Sequence, residues 1–194
     1  ARPKIKSLLR WKGSYSLTDM LTQYKSHIWG ITEYVNGAIL HASETALNRL
    51  DNLQRSFLRE LHMTEEEAFL EFNFAPSALR RDIDILRFLQ KRALNLCHPG
   101  ISRFLPMSHN TSQNHNKQIS CHLDQCICRH QLYFRSLFSK VIAYNRLPQR
   151  IIDSSSVKAF QSELTRVARD YCKGGSQIWQ NASRLSLIHI SEPT

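Results

Sequence analysis

The sequence predicts an all-α fold: a helical bundle followed, across a flexible linker, by a smaller C-terminal helical segment. Three observations point that way. Apolar residues recur at three- and four-residue spacing along most of the chain, which places them on one face of a helix. Capping residues stand ahead of the apolar runs, at Ser16, Ser43, Thr64 and Ser154 to Ser156. No long alternation of apolar and polar residues marks a strand.

The elements can be justified in order. Ile5, Leu8, Leu9 and Trp11 interleave with Arg2, Lys4, Lys6, Arg10 and Lys12, with no acid among the first twelve residues. A short helix with one apolar face is expected there, ended by Gly13. Ser16, with Asp19 three positions on, opens a second helix. Its inward positions are Leu17, Met20, Leu21, Tyr24, Ile28 and Ile31, and Gly30 and Gly37 permit a kink or a close helix approach. Ser43 caps a third, with Leu47, Leu50, Leu53, Phe57 and Leu61 inward and Arg49, Arg55 and Arg59 toward water or a ligand. Thr64 before Glu65, Glu66 and Glu67 joins a cap to carboxylates at the positive end of the helix dipole. This short helix ends before Ala75-Pro76.

Pro76 suits the first turn of the next helix, expected from about Ser77 to Leu96. Leu79, Ile83, Leu86, Leu89 or Gln90, and Ala93 face inward, and His98-Pro99-Gly100 stops it. Ser, Asn, His and Gln dominate from Pro106 to about Ser120, the composition of a flexible linker. Leu137, Phe138, Val141, Ile142 and Tyr144 mark a further helix that Pro148 breaks. The last helix carries Val157, Phe160, Leu164, Val167 or Ala168, and Tyr171, and stops at Lys173-Gly174-Gly175. The expected organisation is therefore a bundle over 1–105, a polar linker over 106–130, a helical extension over 131–172 and a disordered tail over 173–194. Residues 185–194 resemble a translated sequencing-library adapter and are set aside as an artefact. Ala1 falls inside a helix pattern with no initiator Met, so both ends are expected to be cut ends.

The 194 residues are enough for one core, or one and part of a second. No apolar run approaches the ~20 residues of a membrane-spanning helix. The basic N-terminus lacks the apolar segment of a signal peptide. An intracellular protein, in cytoplasm and nucleus and away from membranes, is expected. The five cysteines are an odd number without a secretion signal, so reduced thiols are expected. A net charge of +10 favours polyanions, above all nucleic acid.

Few constellations carry chemistry. Cys121, His122, Cys126, Cys128 and His130 gather metal-ligand atoms, but their spacing fits no common zinc module, so no metal or other cofactor is expected. Nine histidines stand in no frame with a nucleophile, and no glycine-rich phosphate loop is present. Asp82 and Asp84, two positions apart, leave a helix on different faces and serve better to offset neighbouring arginines. The basic stripes remain. Lys4, Lys6, Arg10 and Lys12 form one cluster, and Arg80, Arg87 and Lys91 share a face with Asp84. These seven are the candidate phosphate-contacting residues.

Several blocks resemble a known family. Tyr24-Lys-Ser-His-Ile-Trp-Gly-Ile-Thr-Glu-Tyr34 and Leu50-Asp-Asn-Leu-Gln-Arg-Ser-Phe-Leu-Arg-Glu-Leu61 look like the segment after the catalytic palm of non-LTR (LINE-type) retrotransposon reverse transcriptases. Glu67 to Asp82, with Phe72-Asn-Phe-Ala-Pro76 and Arg80-Arg-Asp82, is similar to the family's block of that form. Arg135-Ser-Leu-Phe138, Tyr144-Asn-Arg-Leu-Pro148 and Val157-Lys-Ala-Phe-Gln161 resemble its closing pattern. The ordered likeness spans about Lys4 to Arg169.

The resemblance implies a thumb-like bundle with a C-terminal helical extension. It also implies RNA or RNA–DNA duplex as ligand and the palm domain of the same polyprotein as partner. The family's catalytic aspartates lie in the palm, upstream of these blocks, so no catalytic residue is carried over and no enzyme activity is expected. Two-metal nucleotidyl transfer needs those carboxylates to hold its ions about 4 Å apart. What carries over is the thumb's grip on template–primer backbone. The competing expectation is a helical protein-interaction module whose basic faces meet acidic partners.

Overall fold

The computed structural model describes residues 1–34, 42–108, 116–120 and 137–175, without the side chains at 138 and 139. The fold is all-α. Among the described residues there is no strand, only an isolated antiparallel bridge between Met107 and Ile119. The helices are α1 (Arg2–Leu9), α2 (Leu17–Tyr24), a π-helical turn (Lys25–Trp29) and α3 (Gly30–Glu33). Then come α4 (Glu44–Glu60), α5 (Glu65–Phe72), α6 (Ser77–Ala93), α7 (Pro99–Phe104), α8 (Leu137–Asn145), α9 (Gln149–Ile152) and α10 (Val157–Lys173). The chain divides into two compact units, Ala1–Arg81 and Asp82–Thr194, so the division falls inside α6.

The caps hold as the sequence indicates. Ser16 Oγ accepts from Asp19 N at 3.1 Å and Ser43 Oγ from Ala46 N at 3.3 Å. Ser156 Oγ accepts from Ala159 N at 3.1 Å. Thr64 makes a full capping box, accepting from Glu67 N at 3.1 Å while its own N–H donates to the Glu67 carboxylate at 2.8 Å. Each satisfies amide donors that a helix start leaves open. Asn73 ends α5 in the left-handed region, at φ 51°.

In the first unit the core gathers Ile5 from α1, Met20, Leu21, Tyr24 and Ile28 from the α2 run, Phe57 and Leu58 from α4, and Phe74. The Tyr24 ring lies 4.5 Å from Phe57 and 5.3 Å from Phe74, centroid to centroid. Ile31, expected inward, is 48% exposed. The π turn is the cause: its i→i+5 bonding inserts one residue, which rotates the following helix face by about 100°. Leu17 is likewise exposed. On α4 the inward face is not purely apolar, because Asp51 and Gln54 are buried beside Phe57 and Leu58.

In the second unit, Tyr144 packs 6.3 Å from Phe160, and its hydroxyl donates to Gln90 Oε1 at 2.6 Å. Gln90 Nε2 in turn donates to the Ile152 carbonyl at 3.0 Å. The later half of α6 thus packs with the C-terminal helices, and the expected bundle of 1–105 does not coincide with the first unit. Lys140 pairs with Asp82 at 2.7 Å.

Two further expectations change. His98-Pro99-Gly100, expected to stop α6, instead starts α7: His98 Nδ1 accepts from Gly100 N at 3.1 Å and Pro99 takes the first helical position. The stop falls earlier, with Asn95 left-handed at φ 57°. Part of the expected flexible linker is ordered by pairing. Ser108 N donates to the Gln118 carbonyl at 2.8 Å and Ser120 N to the Pro106 carbonyl at 2.7 Å. Ile119 is buried and exchanges hydrogen bonds with the Asn145 amide. The remainder of that linker, the Cys121–His130 cluster and the tail after 175 lie outside the described residues.

Phe57 is fully buried against Tyr24. Phe57→Ala should therefore cost about 3–5 kcal/mol in urea unfolding. A loss below ~1 kcal/mol would show that the site collapses around the cavity or is open to water.

Candidate nucleic-acid interface

The seven candidate basic residues separate into an interior group and an outward group. Arg80 belongs to the interior, and its expected place on a solvated phosphate-contacting face is corrected. Its guanidinium lies 4.0 Å above the Trp29 ring. Nε donates to Glu33 Oε1 at 2.8 Å, Nη2 also donates to that oxygen, and Nη1 donates to the Ala75 carbonyl. Nη2 reaches Gln54 Oε1 at 3.0 Å as well. Gln54 is itself fixed by donating to the Ala75 carbonyl and accepting from Ser77 Oγ, both at 3.0 Å. The Arg80 and Glu33 side chains are 13% and 18% exposed. Four of the five guanidinium donors are so committed, and little of the group is left open to a phosphate.

The electrostatics around it follow from burial. Desolvation pulls the Arg80 guanidinium below its ordinary range, and the hydrogen bonds and charge of Glu33 oppose that pull. Lys25 is also lowered, first by burial and then by repulsion from Arg80. Its ammonium donates to the Phe72 carbonyl at 2.9 Å. Arg81 is held next door by two parallel bonds to Asp51, at 2.7 and 2.9 Å. Three of the sequence blocks that carry the family resemblance meet here, through Trp29 and Glu33, Gln54, and Ala75 with Arg80.

The outward group sits mainly on α1. Lys4, Lys6 and Arg10 are exposed, as is Arg2, and among the described residues none has an ion-pair partner. Lys12 is exposed, with its ammonium on the Glu60 carbonyl. Arg2, Lys6 and Arg10 recur every four residues along one side of α1, whereas Lys4 leaves on the other. Arg2 and Lys6 line a groove of about 470 Å³ with Arg49 and Glu60 of α4, over Ile5, Leu9 and Phe57. Arg49 was legible as an outward residue, but its meeting with α1 was not. Trp11 and Tyr15, absent from the candidate set, line a second cleft with Lys4. In the other unit Lys91 is exposed, and Arg87 pairs with Asp84 at 2.6 Å while staying partly open to water.

Among the described residues no three His, Cys, Asp or Glu side chains are placed to hold a metal ion. No helix there is long and apolar enough to cross a membrane. Comparison with protein-family models, curated proteins and solved structures gives no match.

The buried cluster has a pH signature. Burial raises the Tyr24 phenol to about 12, with Arg80 opposing and Glu33 adding to the rise. An unfolded tyrosine titrates near ~10. The folded chain therefore holds this proton longer, and the resulting stability is full below pH ~10 and lost as pH climbs through the folded value. Tyr144, also raised by burial, acts in the same sense. Unfolding free energy should fall with pH above ~10, and Tyr24→Phe should flatten that fall. An unchanged slope in Tyr24→Phe would contradict the burial of its hydroxyl.

Proposed function

We propose that this chain is the thumb and C-terminal helical part of a retrotransposon reverse transcriptase, non-catalytic itself, gripping template–primer nucleic acid by its backbone. The observation that supports it most is the row Arg2, Lys6 and Arg10 on α1: outward cations with no carboxylate among the first twelve residues. Lysine and arginine presented in this way meet phosphates without reading base sequence. The ordered blocks shared with the family support the same conclusion and supply the duplex as ligand. Arg80 serves this function as scaffold rather than as a contact. Lys91 and Arg87 add cationic surface on the second unit.

The chain should bind RNA–DNA and RNA duplexes without sequence preference, more weakly as salt rises. With ~3–5 phosphates contacted, log K against log salt should have a slope of about −3 to −4. Lys6→Glu with Arg10→Glu should flatten the slope by about one unit for each phosphate no longer held, with helicity unchanged. Reversing Glu65, Glu66 and Glu67 should leave the slope as it is, since these residues start α5. Absence of binding at low salt, or a slope that survives the reversal on α1, would favour an acidic protein partner instead.

A further inference from the structure

Duplex gripping leaves one feature of the first unit unused. Lys4, Leu8, Trp11 and Tyr15 follow one another at spacings of four, three and four residues, which keeps them on one side of a helical path. The turn after α1 maintains that path, with Tyr15 N donating to the Trp11 carbonyl at 3.2 Å. Gln23 of α2 and His27 of the π turn, four apart, form the facing wall, and the cleft between them holds about 310 Å³. Trp11 is 58% and Tyr15 47% exposed. Two large rings left in water beside one another, outside a core that already holds Tyr24, Phe57 and Phe74, mark a binding surface rather than a packing one.

The chemistry of the cleft narrows the ligand. Its lining has two aromatic faces, one lysine, an imidazole and a carboxamide, and no carboxylate. A flat π-system carrying hydrogen-bonding edges and a negative charge matches all of these together. An unpaired nucleotide is such a molecule: bases stack on exposed aromatic rings whatever their sequence, and the backbone follows nearby cations. A paired base offers no free face, so the duplex itself cannot fill the cleft.

We infer that this cleft receives an unpaired nucleotide next to the gripped duplex, its base on Trp11 or Tyr15 and its phosphate at Lys4, with Gln23 and His27 at the base edge. The inference rests on the nucleic-acid function proposed above and extends it from paired to single-stranded nucleic acid.

The test compares a blunt RNA–DNA duplex with the same duplex carrying a short single-stranded RNA overhang, using the full chain. The overhang should tighten binding and quench tryptophan fluorescence. Trp11→Ala should remove about a tenfold share of affinity for the overhang probe, the scale of one missing stacking partner, while blunt-duplex affinity stays level. Trp11→Phe, which keeps a ring, should recover part of the loss. The exposure of Trp11 makes these variants fold normally, and a thermal melt checks that directly. Equal affinity for the two probes, or an overhang gain that persists in Trp11→Ala/Tyr15→Ala, would overturn the inference and leave duplex binding intact. Failure to bind either probe would overturn the nucleic-acid function as well.

Discussion

A guanidinium taken out of water must have its charge matched and its donors occupied, and in this chain that requirement falls on Arg80. Leaving such a group unpaired costs about 3–5 kcal/mol, a large part of the ~5–15 kcal/mol that holds a typical domain together. The demand is met by parts distant in sequence: a carboxylate from α3, an amide from α4, the Ala75 carbonyl before α6, and the Trp29 ring from the π turn. The π turn presents Trp29 to Arg80, Gln54 is oriented by Ser77 and Ala75, and α4 is brought in with its polar residues facing inward. The apolar core of Tyr24, Phe57 and Phe74 lies beside the cluster, so aromatic packing and ion pairing define one arrangement between them.

This division of labour changes how the charge of +10 is to be understood. Several cations are spent inside: Arg80 on Glu33, Arg81 on Asp51, Lys140 on Asp82, and Arg92 on the Leu105 carbonyl. Among the described residues, α1 turns Arg2, Lys4 and Lys6 outward with no ion-pair partner, and Arg49 and Glu60 of α4 share a groove with two of them. The blocks resembling a retrotransposon family supply the interior, not the outward row. Under the function proposed above, those blocks serve as scaffold rather than as phosphate contacts.

Much of the fold was legible because helix signals are local. Ser16, Ser43, Thr64 and Ser156 cap where their side chains can reach amides three residues on, which needs no knowledge of the rest of the chain. The failures share a different origin. Nothing in the residues Lys25 to Trp29 announces a π turn, and one inserted residue sends Ile31 outward. Asp51 and Gln54 look like surface residues until Arg81 and Arg80 are placed against them. Residues 116–120 have a linker's composition, yet Asn145 pairs with the backbone of Ile119. For the candidate site, the α1 cluster was readable because it contains no acids. The face shared by Arg80, Arg87 and Lys91 was real helical geometry, but periodicity cannot reveal that Glu33 and Trp29 cover its first member.

The dependence of the first unit on Arg80 is open to a thermodynamic cycle. Unfolding free energies of the wild type, Glu33→Gln, Arg80→Gln and the double variant give the coupling between the two side chains, free of effects that each substitution has alone. A buried, directly bonded pair should show a coupling of about 1–3 kcal/mol, with the double variant less damaged than the sum of the singles. Additivity within ~0.3 kcal/mol would mean that Arg80 and Glu33 do not meet, and would contradict the buried pair on which this account rests.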